Sequence, residues 1–439
     1  MKKTLFGTDG IRAVAGAYPL DEASLLKLGA VISAQAPAPR VLIGRDTRES
    51  GPVIEALLAR GLGRQARVFS AGVLPTPGLA FLTREHGYDF GVMISASHNP
   101  FSDNGIKLFD RRGEKASAAQ EDRISREFFL CRRAPDPPPR PTAAQDTGAY
   151  AGFLMSEGKG LVEAGAKIAV DCANGAASRL APSLLRRLGL EIAVGHTSPN
   201  GRNINSGCGS TSPAALQKLV GKSRSALGLA FDGDADRVIF ADARGRIIEG
   251  DHVLFLLARY LRDREPRFRP VVVGTVMSNL GLERALQRAG IRFLRADVGD
   301  KHVYRLMKRS GAILGGEPSG HIILRHRQTS GDGLLTALHV MRALRHFGSD
   351  AEAAFDGIAL YPQKTLSIRV CRRPPLKDWQ AFQRESIRFT RRYGKEARLL
   401  ARYSGTEPKL RIMIESRDQE TIDKNMPIFQ SLVENELGE

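Results

Sequence analysis

An aspartate triplet is the strongest chemical signal in this sequence. The segment 232–237 reads DGDADR, so three carboxylates stand on alternate residues, and the apolar run Leu227 to Phe231 precedes them directly. Because alternate residues of an extended segment point in the same direction, the three carboxylates are expected to converge on one cation. Ligation by oxygen alone is typical of Mg²⁺ and Ca²⁺ sites. The segment therefore predicts a site for a hard divalent cation.

An EF-hand calcium loop is the first alternative for this segment, and the sequence excludes it. Such a loop needs glycine at its sixth position and glutamate at its twelfth, where this chain has Arg237 and Ala243. A solvated acidic turn stays open at this point, because Asp and Gly are ordinary turn residues.

A serine-containing loop offers the second reactive group. The strand-like run Phe90 to Ile94 leads into the segment 95–100, which reads SASHNP. With a metal at the aspartate triplet and the basic residues Arg12, Lys107 and Arg237 elsewhere in the chain, Ser97 is predicted to hold and pass on a phosphoryl group. A serine triad needs partners that the sequence cannot place, and a plain turn remains an alternative.

Near the C-terminus, a small polar loop has the composition of an anion cradle. The segment 404–409 reads SGTEPK and lies between strand-like runs that contain Arg402 and Arg411. Hydroxyls, a glycine backbone and guanidinium groups all suit phosphate. A simple hairpin turn is the alternative.

The elements that position these loops follow from length and pattern. A chain of 439 residues with 42% hydrophobic content predicts about three or four α/β domains. Strand-like runs lead into small polar loops and helical patterns at Val41 to Ser50, Ile168 to Ser178 and Val271 to Leu282. Three successive α/β domains are therefore expected, followed by a smaller α+β domain with a helix around Leu376 to Phe389.

Two local signals support these divisions. The proline-rich segment 135–141 cannot continue a helix or a central strand, so it is interpreted as a connector that closes the first module. The tripeptide Thr211-Ser212-Pro213 predicts a helix start, with a capping hydroxyl and a proline at the first helical position.

Targeting and cysteine signals are weak. The N-terminus lacks the apolar core of a secretory signal and no later run could span a bilayer, so a cytoplasmic protein without membrane association is expected. The cysteines have no paired spacing that would indicate a zinc site or a disulfide framework, and they are interpreted as reduced. They are Cys131, Cys172, Cys208 and Cys371.

A net charge of +18 raises the alternative of a nucleic-acid-binding protein. Much of the excess is arginine in short scattered groups, such as Arg132-Arg133 and Arg391-Arg392, without interleaved aromatic residues for base stacking. We expect no specific nucleic-acid binding. An anionic substrate accounts for part of the charge and a basic surface for the rest.

Taken together, the ordered motifs resemble the α-D-phosphohexomutase superfamily and, within it, the phosphoglucosamine mutase family. The resemblance runs end to end and includes the Ser97 loop and the aspartate triplet. The other motifs are Phe6 to Arg12, Gly44 to Arg48, Asp171 to Gly175, Asn203 to Asn205, Cys208 to Thr211, Gly274 to Asn279, Gly315 to His321, Gly331 to Gly333, and Arg402 to Arg411.

The resemblance implies a heart-shaped enzyme of four domains around a central cleft, at residues 1–148, 149–249, 250–362 and 363–439. It implies that Ser97 is a phosphoserine and that one Mg²⁺ is held by Ser97 and the three aspartates Asp232, Asp234 and Asp236. Substrate contacts are then expected from Arg237, Glu317, Ser319, Arg402, Ser404, Gly405, Thr406 and Arg411.

The activity implied is interconversion of glucosamine 6-phosphate and glucosamine 1-phosphate through a 1,6-bisphosphate, which feeds UDP-N-acetylglucosamine synthesis. Lys107 is the candidate proton acceptor if its pKa is lowered, or else a fixed charge near the phosphate. Arg12 and His321 are placed in the catalytic group by motif position. Partners are limited to sugar phosphates, and the protein is expected to be a monomer or homodimer.

Three positions depart from the family pattern, none removes a catalytic group, and one of them, Pro318, bears on the sugar. Ala13 stands where glycine is usual, Pro318 where glutamine is typical, and Lys301-His302 where an Arg-Tyr pair is typical. Pro318 lies inside the expected sugar loop, where proline removes a donor and fixes the backbone. A phosphomannomutase/phosphoglucomutase is therefore the alternative activity.

Overall fold

The computed structural model describes residues 4–7, 9–131, 142–144, 146–161, 167–348, 351–404 and 408–438. Within these ranges the chain forms four β-sheets. Contacts divide it into two compact units, one of residues 1–277 with 291–357 and the other of residues 278–290 with 358–439. Three sheets belong to the first unit and the fourth sheet to the second.

The α-helices are distributed along the whole described chain. In chain order they are α1 (Glu22–Ser33), α2 (Gly51–Leu62), α3 (Thr76–Glu85), α4 (Ala118–Leu130), α5 (Ala149–Gly158), α6 (Ala177–Arg187), α7 (Pro213–Ser223), α8 (Gly250–Arg264), α9 (Leu280–Arg288), α10 (Asp300–Ser310), α11 (Gly333–Phe347), α12 (Ala351–Phe355), α13 (Gln380–Tyr393) and α14 (Gln419–Leu437).

The first sheet carries the serine loop. Its strands are β1 (Ile11–Val14), β2 (Arg40–Arg45), β3 (Arg67–Val73), β4 (Phe90–Ile94), β5 (Asp103–Asp110) and β6 (Thr142–Ala143), in the spatial order β1-β5-β4-β2-β3-β6. The β4-β2-β3-β6 part is parallel, and β5 runs antiparallel to both β4 and β1. Pairing of Met93 with Lys107 in the β4–β5 register places the lysine beside the strand that leads to Ser97.

The second sheet carries the aspartate triplet. Its strands are β7 (Lys167–Asp171), β8 (Glu191–Gly195), β9 (Leu227–Phe231), β10 (Val238–Asp242) and β11 (Ile247–Ile248), in the order β11-β10-β9-β7-β8. The strands β8, β7 and β9 are parallel, whereas β9 and β10 form an antiparallel pair. Every residue of β9 is buried, as expected for a central strand covered on both faces.

The third sheet contains β12 (Val271–Thr275), β13 (Arg292–Ala296), β14 (Leu314–Gly316) and β15 (Ile322–Leu324). Their order is β13-β12-β14-β15, with parallel pairs except for β14 and β15. The antiparallel β14–β15 hairpin contains the segment Glu317 to His321, so the predicted sugar loop is a hairpin connection.

The fourth sheet is wholly antiparallel. It contains β16 (Gln363–Arg369), β17 (Ala397–Tyr403) and β18 (Lys409–Ser416), in the order β16-β18-β17. Helices α13 and α14 contribute Phe382, Phe389 and Phe429 to the core beneath it. A short 3₁₀ turn at Leu376–Asp378 precedes α13.

The expected fold class is confirmed: three mostly parallel α/β sheets are followed by an antiparallel α+β segment. The three predicted strand-loop-helix units correspond to β2 with α2, β7 with α6, and β12 with α9. The predicted helix start at Pro213 is also found, but the Ser212 side chain makes no capping hydrogen bond to the described residues, so the proline at the first helical position marks that end. The domain boundaries and the heart-shaped outline stay predictions, and the proline-rich segment 135–141 lies outside the described residues. Helices long and apolar enough to cross a bilayer are absent from the described ranges.

His252 on α8 makes folding sensitive to acid. Its Nδ1 is buried and has no hydrogen-bond partner within the described ranges, and its ring meets that of Phe355 edge-on at a centroid distance of 6.5 Å. Burial, aided by Arg246, lowers the pKa of His252 from 6.5 to about 4. A lowered folded-state pKa means that stability is complete above pH 6.5 and is lost as the pH falls towards 4.

We therefore expect the free energy of unfolding to fall between pH 7 and pH 5, and to fall less in a His252→Leu variant. The difference between the two proteins in that change should be roughly 1–2 kcal/mol. Urea unfolding at the two pH values measures it. Equal losses in both proteins would contradict the assignment, while other histidines account for any slope left in the variant.

Candidate functional site

Ser97 lies at the centre of the site. Its loop follows β4, and its backbone has a φ of +53°, a left-handed conformation that is uncommon outside glycine. The side chain is buried, and its Oγ donates a hydrogen bond to Asp232 Oδ2 at 2.6 Å. His98 Nδ1 lies 3.3 Å from the same Oγ. Ser97 and the aspartate triplet, 135 residues apart in sequence, therefore meet as predicted.

A buried hydrogen-bond chain fixes the direction of this serine. Ser97 N–H donates to Ser95 Oγ at 2.9 Å, and Ser95 Oγ donates to Asp46 Oδ2 at 2.7 Å. Asp46 also accepts from Arg48 Nε at 2.9 Å. Burial raises the pKa of Asp46, and Arg48 opposes that rise.

The backbone carbonyls of the Ser97 loop accept hydrogen bonds from side chains outside the loop. Arg48, only 1% exposed, donates to the carbonyls of Ser97 at 3.1 Å, Asn99 at 2.9 Å and Asp103 at 2.9 Å, and also to that of Pro100. Asn205 Nδ2 donates to Ser97 O at 2.9 Å and to Asn99 O at 3.2 Å. Such buried donors compensate carbonyls that would otherwise lose hydrogen bonds to water. The strained backbone at Ser97 is therefore held by several independent contacts.

The aspartate triplet converges, but not by the expected backbone geometry. The segment is the turn between the antiparallel strands β9 and β10, and Ala235 within it has a φ of +55°. The prediction of an extended segment is wrong, because an antiparallel pair must reverse direction there. One oxygen each of Asp232, Asp234 and Asp236 nevertheless lies within 4.8 Å of the others, and all three residues are buried.

This donor set fits a hard divalent cation. Asp234 Oδ1 is buried and has no hydrogen-bond partner among the described residues. Burial raises the pKa of Asp232 well above its ordinary value, and the neighbouring carboxylates of Asp236 and Asp234 add to the rise. Burial would raise the pKa of Asp236, but Lys107 and His321 lower it well below its ordinary value. The incompletely balanced negative charge is therefore at Asp232 and Asp234. An oxygen-only ligand set of this kind suits Mg²⁺.

The contacts of Lys107 do not support one of its two predicted roles, that of proton acceptor. Its Nζ lies 2.8 Å from Asp234 Oδ2, 3.0 Å from Asp236 Oδ2 and 3.5 Å from Asp9 Oδ2. Burial alone would lower the pKa of Lys107, but these carboxylates outweigh it and raise the pKa well above the ordinary value. The proton-acceptor role requires a lowered pKa of Lys107, whereas the surrounding carboxylates raise it. The geometry favours a fixed ammonium.

Two arginines complete the positive groups around the serine. Arg12 on β1 donates to the carbonyl of Ala96 and pairs with Asp9. Arg237 follows the triplet, and its backbone N–H donates to Asp232 Oδ1 at 3.2 Å. Register pairing of Arg12 with Gly105 explains why the N-terminal motif reaches this site.

The predicted sugar loop is a tight turn in which proline is at a favourable position. Gly320 N–H donates to Glu317 O at 3.1 Å, so Pro318 occupies the second position of the turn, where its fixed φ suits the common turn types. Ser319 is exposed, and Glu317 Oε1 accepts from Gly299 N–H at 3.0 Å. The missing donor of Pro318 therefore does not disturb this loop.

His321 connects that loop to the aspartates. It is buried, with Nδ1 3.5 Å from Asp236 Oδ1 and Nε2 3.5 Å from Asp300 Oδ2. Burial by itself would lower the pKa of His321, but Asp236 and Asp300 reverse the direction and raise it. It lies beside a triplet aspartate, and its membership of the catalytic group stays a prediction.

In the C-terminal unit, Arg402 and Arg411 face each other in the β17–β18 register. Ser404 N–H donates to Lys409 O at 2.8 Å, which closes the hairpin between these strands. The two arginines thus lie on one face of the sheet beside the loop. Gly405 and Thr406 lie outside the described residues, so the anion cradle stays a prediction.

Sequence reasoning missed the supporting residues Asp46, Arg48 and Asn205. Each lies in a motif that the sequence does display, at the end of β2 or in the segment 203–205. Nothing local shows that Arg48 and Asn205 hold the carbonyls of a remote loop, because those contacts span 49 and 108 residues.

Replacing Arg48 by methionine tests this support. The change leaves Asp46 as a buried, uncompensated carboxylate, so we expect a loss of about 3–5 kcal/mol in the free energy of unfolding. Denaturant titration measures the loss. Arg112→Met is the matched control, since that side chain is 65% exposed and should change stability by less than about 0.5 kcal/mol. A difference of less than about 1 kcal/mol between the two variants would contradict the role of Arg48.

Sequence models of four domains match this chain in order. They describe phosphoglucomutase/phosphomannomutase α/β/α domain I at residues 3–131, domain II at 155–245, domain III at 249–361 and the C-terminal domain at 368–426.

Curated relatives match over the full length. The phosphoglucosamine mutase of Solibacter usitatus is 43% identical, with 100% of each chain covered. That of Koribacter versatilis is 41% identical, covering 99% of this chain and 98% of its own. That of Thermus thermophilus is 43% identical, covering 94% of each.

Solved structures share the fold at lower identity. A phosphoglucomutase/phosphomannomutase family protein from Burkholderia thailandensis has a TM-score of 0.80 and 24% identity, covering 98% of this chain and 97% of its own. An N-acetylphosphoglucosamine mutase from Aspergillus fumigatus, in complex with GlcNAc-6P and magnesium, has a TM-score of 0.67 and 19% identity, covering 96% and 94%. With four ordered domain models and full-length relatives above 40% identity, this chain belongs to the phosphoglucosamine mutase family of the α-D-phosphohexomutase superfamily.

Proposed function

We propose that this protein interconverts glucosamine 6-phosphate and glucosamine 1-phosphate, with Ser97 as the phosphoryl carrier. The observation that carries the proposal is the hydrogen bond from Ser97 Oγ to Asp232 Oδ2 at 2.6 Å, within a buried triplet of aspartates. The full-length similarity to phosphoglucosamine mutases supports the choice of sugar phosphate.

The reaction consists of two phosphoryl transfers. In the first, the bond from phosphorus to Ser97 Oγ breaks, a bond from phosphorus to O1 of the 6-phosphate sugar forms, and the O1 proton passes to an acceptor. The 1,6-bisphosphate then reorients. In the second, the bond from phosphorus to O6 breaks, the bond to Oγ forms again, and O6 takes up a proton, which leaves glucosamine 1-phosphate.

The residues around Ser97 act mainly by positioning. Arg48 and Asn205 hold the loop carbonyls, so Oγ keeps one direction through both transfers and little orientational freedom is lost at each step. His98 is neutral near pH 7, because burial, with Arg237 and Arg12, lowers the pKa of its imidazole to about 4. A neutral ring at 3.3 Å from Oγ offers a hydrogen-bond partner without adding charge.

Fixed positive charge is supplied by Arg12, Lys107 and Arg237. Phosphoryl transfer concentrates negative charge on the equatorial oxygens, and preorganised cations stabilise that charge without reorganising. Lys107 is held by two triplet carboxylates and is assigned the role of a fixed ammonium.

Asp232, Asp234 and Asp236 would hold one Mg²⁺, with a phosphorylated Ser97 as a further oxygen ligand. When bound, Mg²⁺ supplies charge neutralisation and polarisation of the phosphoryl oxygens. The magnesium present in the Aspergillus fumigatus mutase complex supports this choice of metal.

Sugar and distal phosphate are assigned to the two remaining loops. Glu317 and Ser319 lie in the β14–β15 turn and offer a carboxylate and a hydroxyl to the sugar hydroxyls. Arg402, Ser404 and Arg411, together with Gly405 and Thr406, are assigned to the phosphate that is not reacting. Paired guanidinium groups suit a phosphate dianion.

Phosphopeptide mass spectrometry tests the carrier. We expect stable phosphate on Ser97, and we expect a Ser97→Ala variant to lose at least about 10³-fold in kcat, because the covalent intermediate can no longer form. Ser102→Ala is the matched control, an exposed serine on the same loop that should retain near-normal activity. Phosphate at another residue together with an active Ser97→Ala variant would overturn the assignment.

A coupled assay tests the substrate. Glucosamine 6-phosphate should exceed mannose 6-phosphate and glucose 6-phosphate in kcat/KM by at least about tenfold. Because Pro318 fits its turn, a Pro318→Gln variant should keep the same order of substrates. Faster turnover of either neutral sugar by the unmodified protein would favour the phosphomannomutase/phosphoglucomutase activity instead.

A further inference from the structure

A second cluster of metal-binding side chains lies at the carboxyl ends of β7 and β8. Asp171 is the last residue of β7, and His196 directly follows β8. These strands are parallel neighbours in which Asp171 pairs with Gly195, so the two side chains are brought to the same edge of the sheet. Cys208 reaches them from the loop before α7. None of the three belongs to the aspartate triplet.

The spacing of the three side chains fits one small cation. His196 Nδ1 lies 3.1 Å from Asp171 Oδ2, and one ligand atom of each residue lies within 4.8 Å of the other two. Tetrahedral zinc, with bonds of about 2.0 to 2.3 Å, needs ligand atoms roughly 3.3 to 3.7 Å apart. Small side-chain rotations would therefore suffice. Asp171 and Cys208 are buried, while the His196 side chain is 38% exposed and leaves a route for a cation and a fourth, water ligand.

We propose that Asp171, His196 and Cys208 form a binding site for a borderline divalent cation of the zinc class. A thiolate, an imidazole and a carboxylate make a ligand set that zinc accepts and that magnesium does not prefer. The site therefore differs in chemistry from the oxygen-only triplet of the active centre.

Neighbouring groups hold these ligands in place. Asp171 Oδ1 accepts from Ala173 N–H at 2.8 Å, and its Oδ2 accepts from Gly209 N–H at 3.0 Å. Asn174 Nδ2 lies 3.9 Å from Cys208 Sγ and directs an amide donor at the sulfur. Outer contacts of this kind orient metal ligands and stabilise a thiolate.

The backbone around the cluster is unusually strained. Ala173, Asn174 and His196 have φ values of +53°, +49° and +51°, a left-handed conformation that is costly for residues with a Cβ. Asn174 N–H donates to His196 O at 2.7 Å, which ties two of these residues together. Backbone strain of this kind is concentrated at functional sites, where particular side chains must be held in one orientation.

Metal binding at this cluster would release the thiol proton of Cys208. Burial raises the pKa of the Cys208 thiol to about 12, with a further contribution from Asp171. The Sγ–H bond must therefore break as the bond from Sγ to the metal forms, and the proton passes to solvent. The alternative interpretation is that Asp171 and His196 bind no metal and only connect their two loops by a hydrogen bond.

Cobalt(II) spectroscopy distinguishes the two interpretations. The test protein is the full chain with Cys131→Ser and Cys371→Ser, stripped of metal and kept in excess Mg²⁺. Co²⁺ addition should produce a near-ultraviolet charge-transfer band from sulfur to cobalt that saturates at one equivalent, and Zn²⁺ should abolish it. The aspartate triplet contains no sulfur and cannot produce this band.

Single variants in that background locate the ligands. Cys208→Ser should abolish the band, His196→Ala should weaken Co²⁺ binding by at least about tenfold, and Cys172→Ser, the matched control, should leave both unchanged. His196 is half-exposed, so its variant gives a decision even if Cys208→Ser fails to fold. Absence of the band in the parent protein, its survival in Cys208→Ser, or unchanged binding in His196→Ala would overturn the proposal.

Discussion

The balance of charge around the buried aspartate triplet is the constraint on which the rest of the site depends. Asp232, Asp234 and Asp236 are all buried on one turn, and carboxylates so placed are costly unless cations compensate them. Lys107 compensates two of the three at 2.8 and 3.0 Å. Asp232, whose Oδ2 accepts from Ser97, has a more distant ion-pair partner, Arg237 Nε at 4.0 Å, and burial raises its pKa well above the ordinary value. Ser97 thus lies beside the triplet member whose ion pair is the longest of the three.

That charge distribution explains why the Ser97 loop needs hydrogen bonds from side chains outside it. A phosphoryl group on Ser97 would bring further negative charge to the triplet, so the loop must hold its direction against repulsion as well as thermal motion. Arg48 and Asn205 do so through backbone carbonyls, so these contacts do not involve the Ser97 side chain. Support through the backbone is less disturbed by a change of charge on Oγ than support through the side chain would be.

The second sheet presents two ligand sets with different chemical preferences. The turn after β9 offers oxygen atoms alone, whereas the ends of β7 and β8 bring together oxygen, nitrogen and sulfur. Both sets occur at or near the carboxyl ends of parallel strands, where loops converge in α/β folds. Ligand softness, rather than position, separates the cation expected at each.

The sequence by itself determined the α/β class, the loops that carry the candidate reactive groups, and the family. Local patterns suffice for these, because hydrophobic periodicity, turn residues and motif order all act over short stretches of chain. The tertiary structure decided which groups meet. It surrounds Lys107 with carboxylates that raise its pKa, and it places Pro318 in a turn that accommodates proline. It also joined Cys208 to two remote ligands that no cysteine spacing reveals. The physical reason is that pKa values and ligand sets depend on neighbours in space, and those neighbours are supplied by strands and loops far apart in the chain.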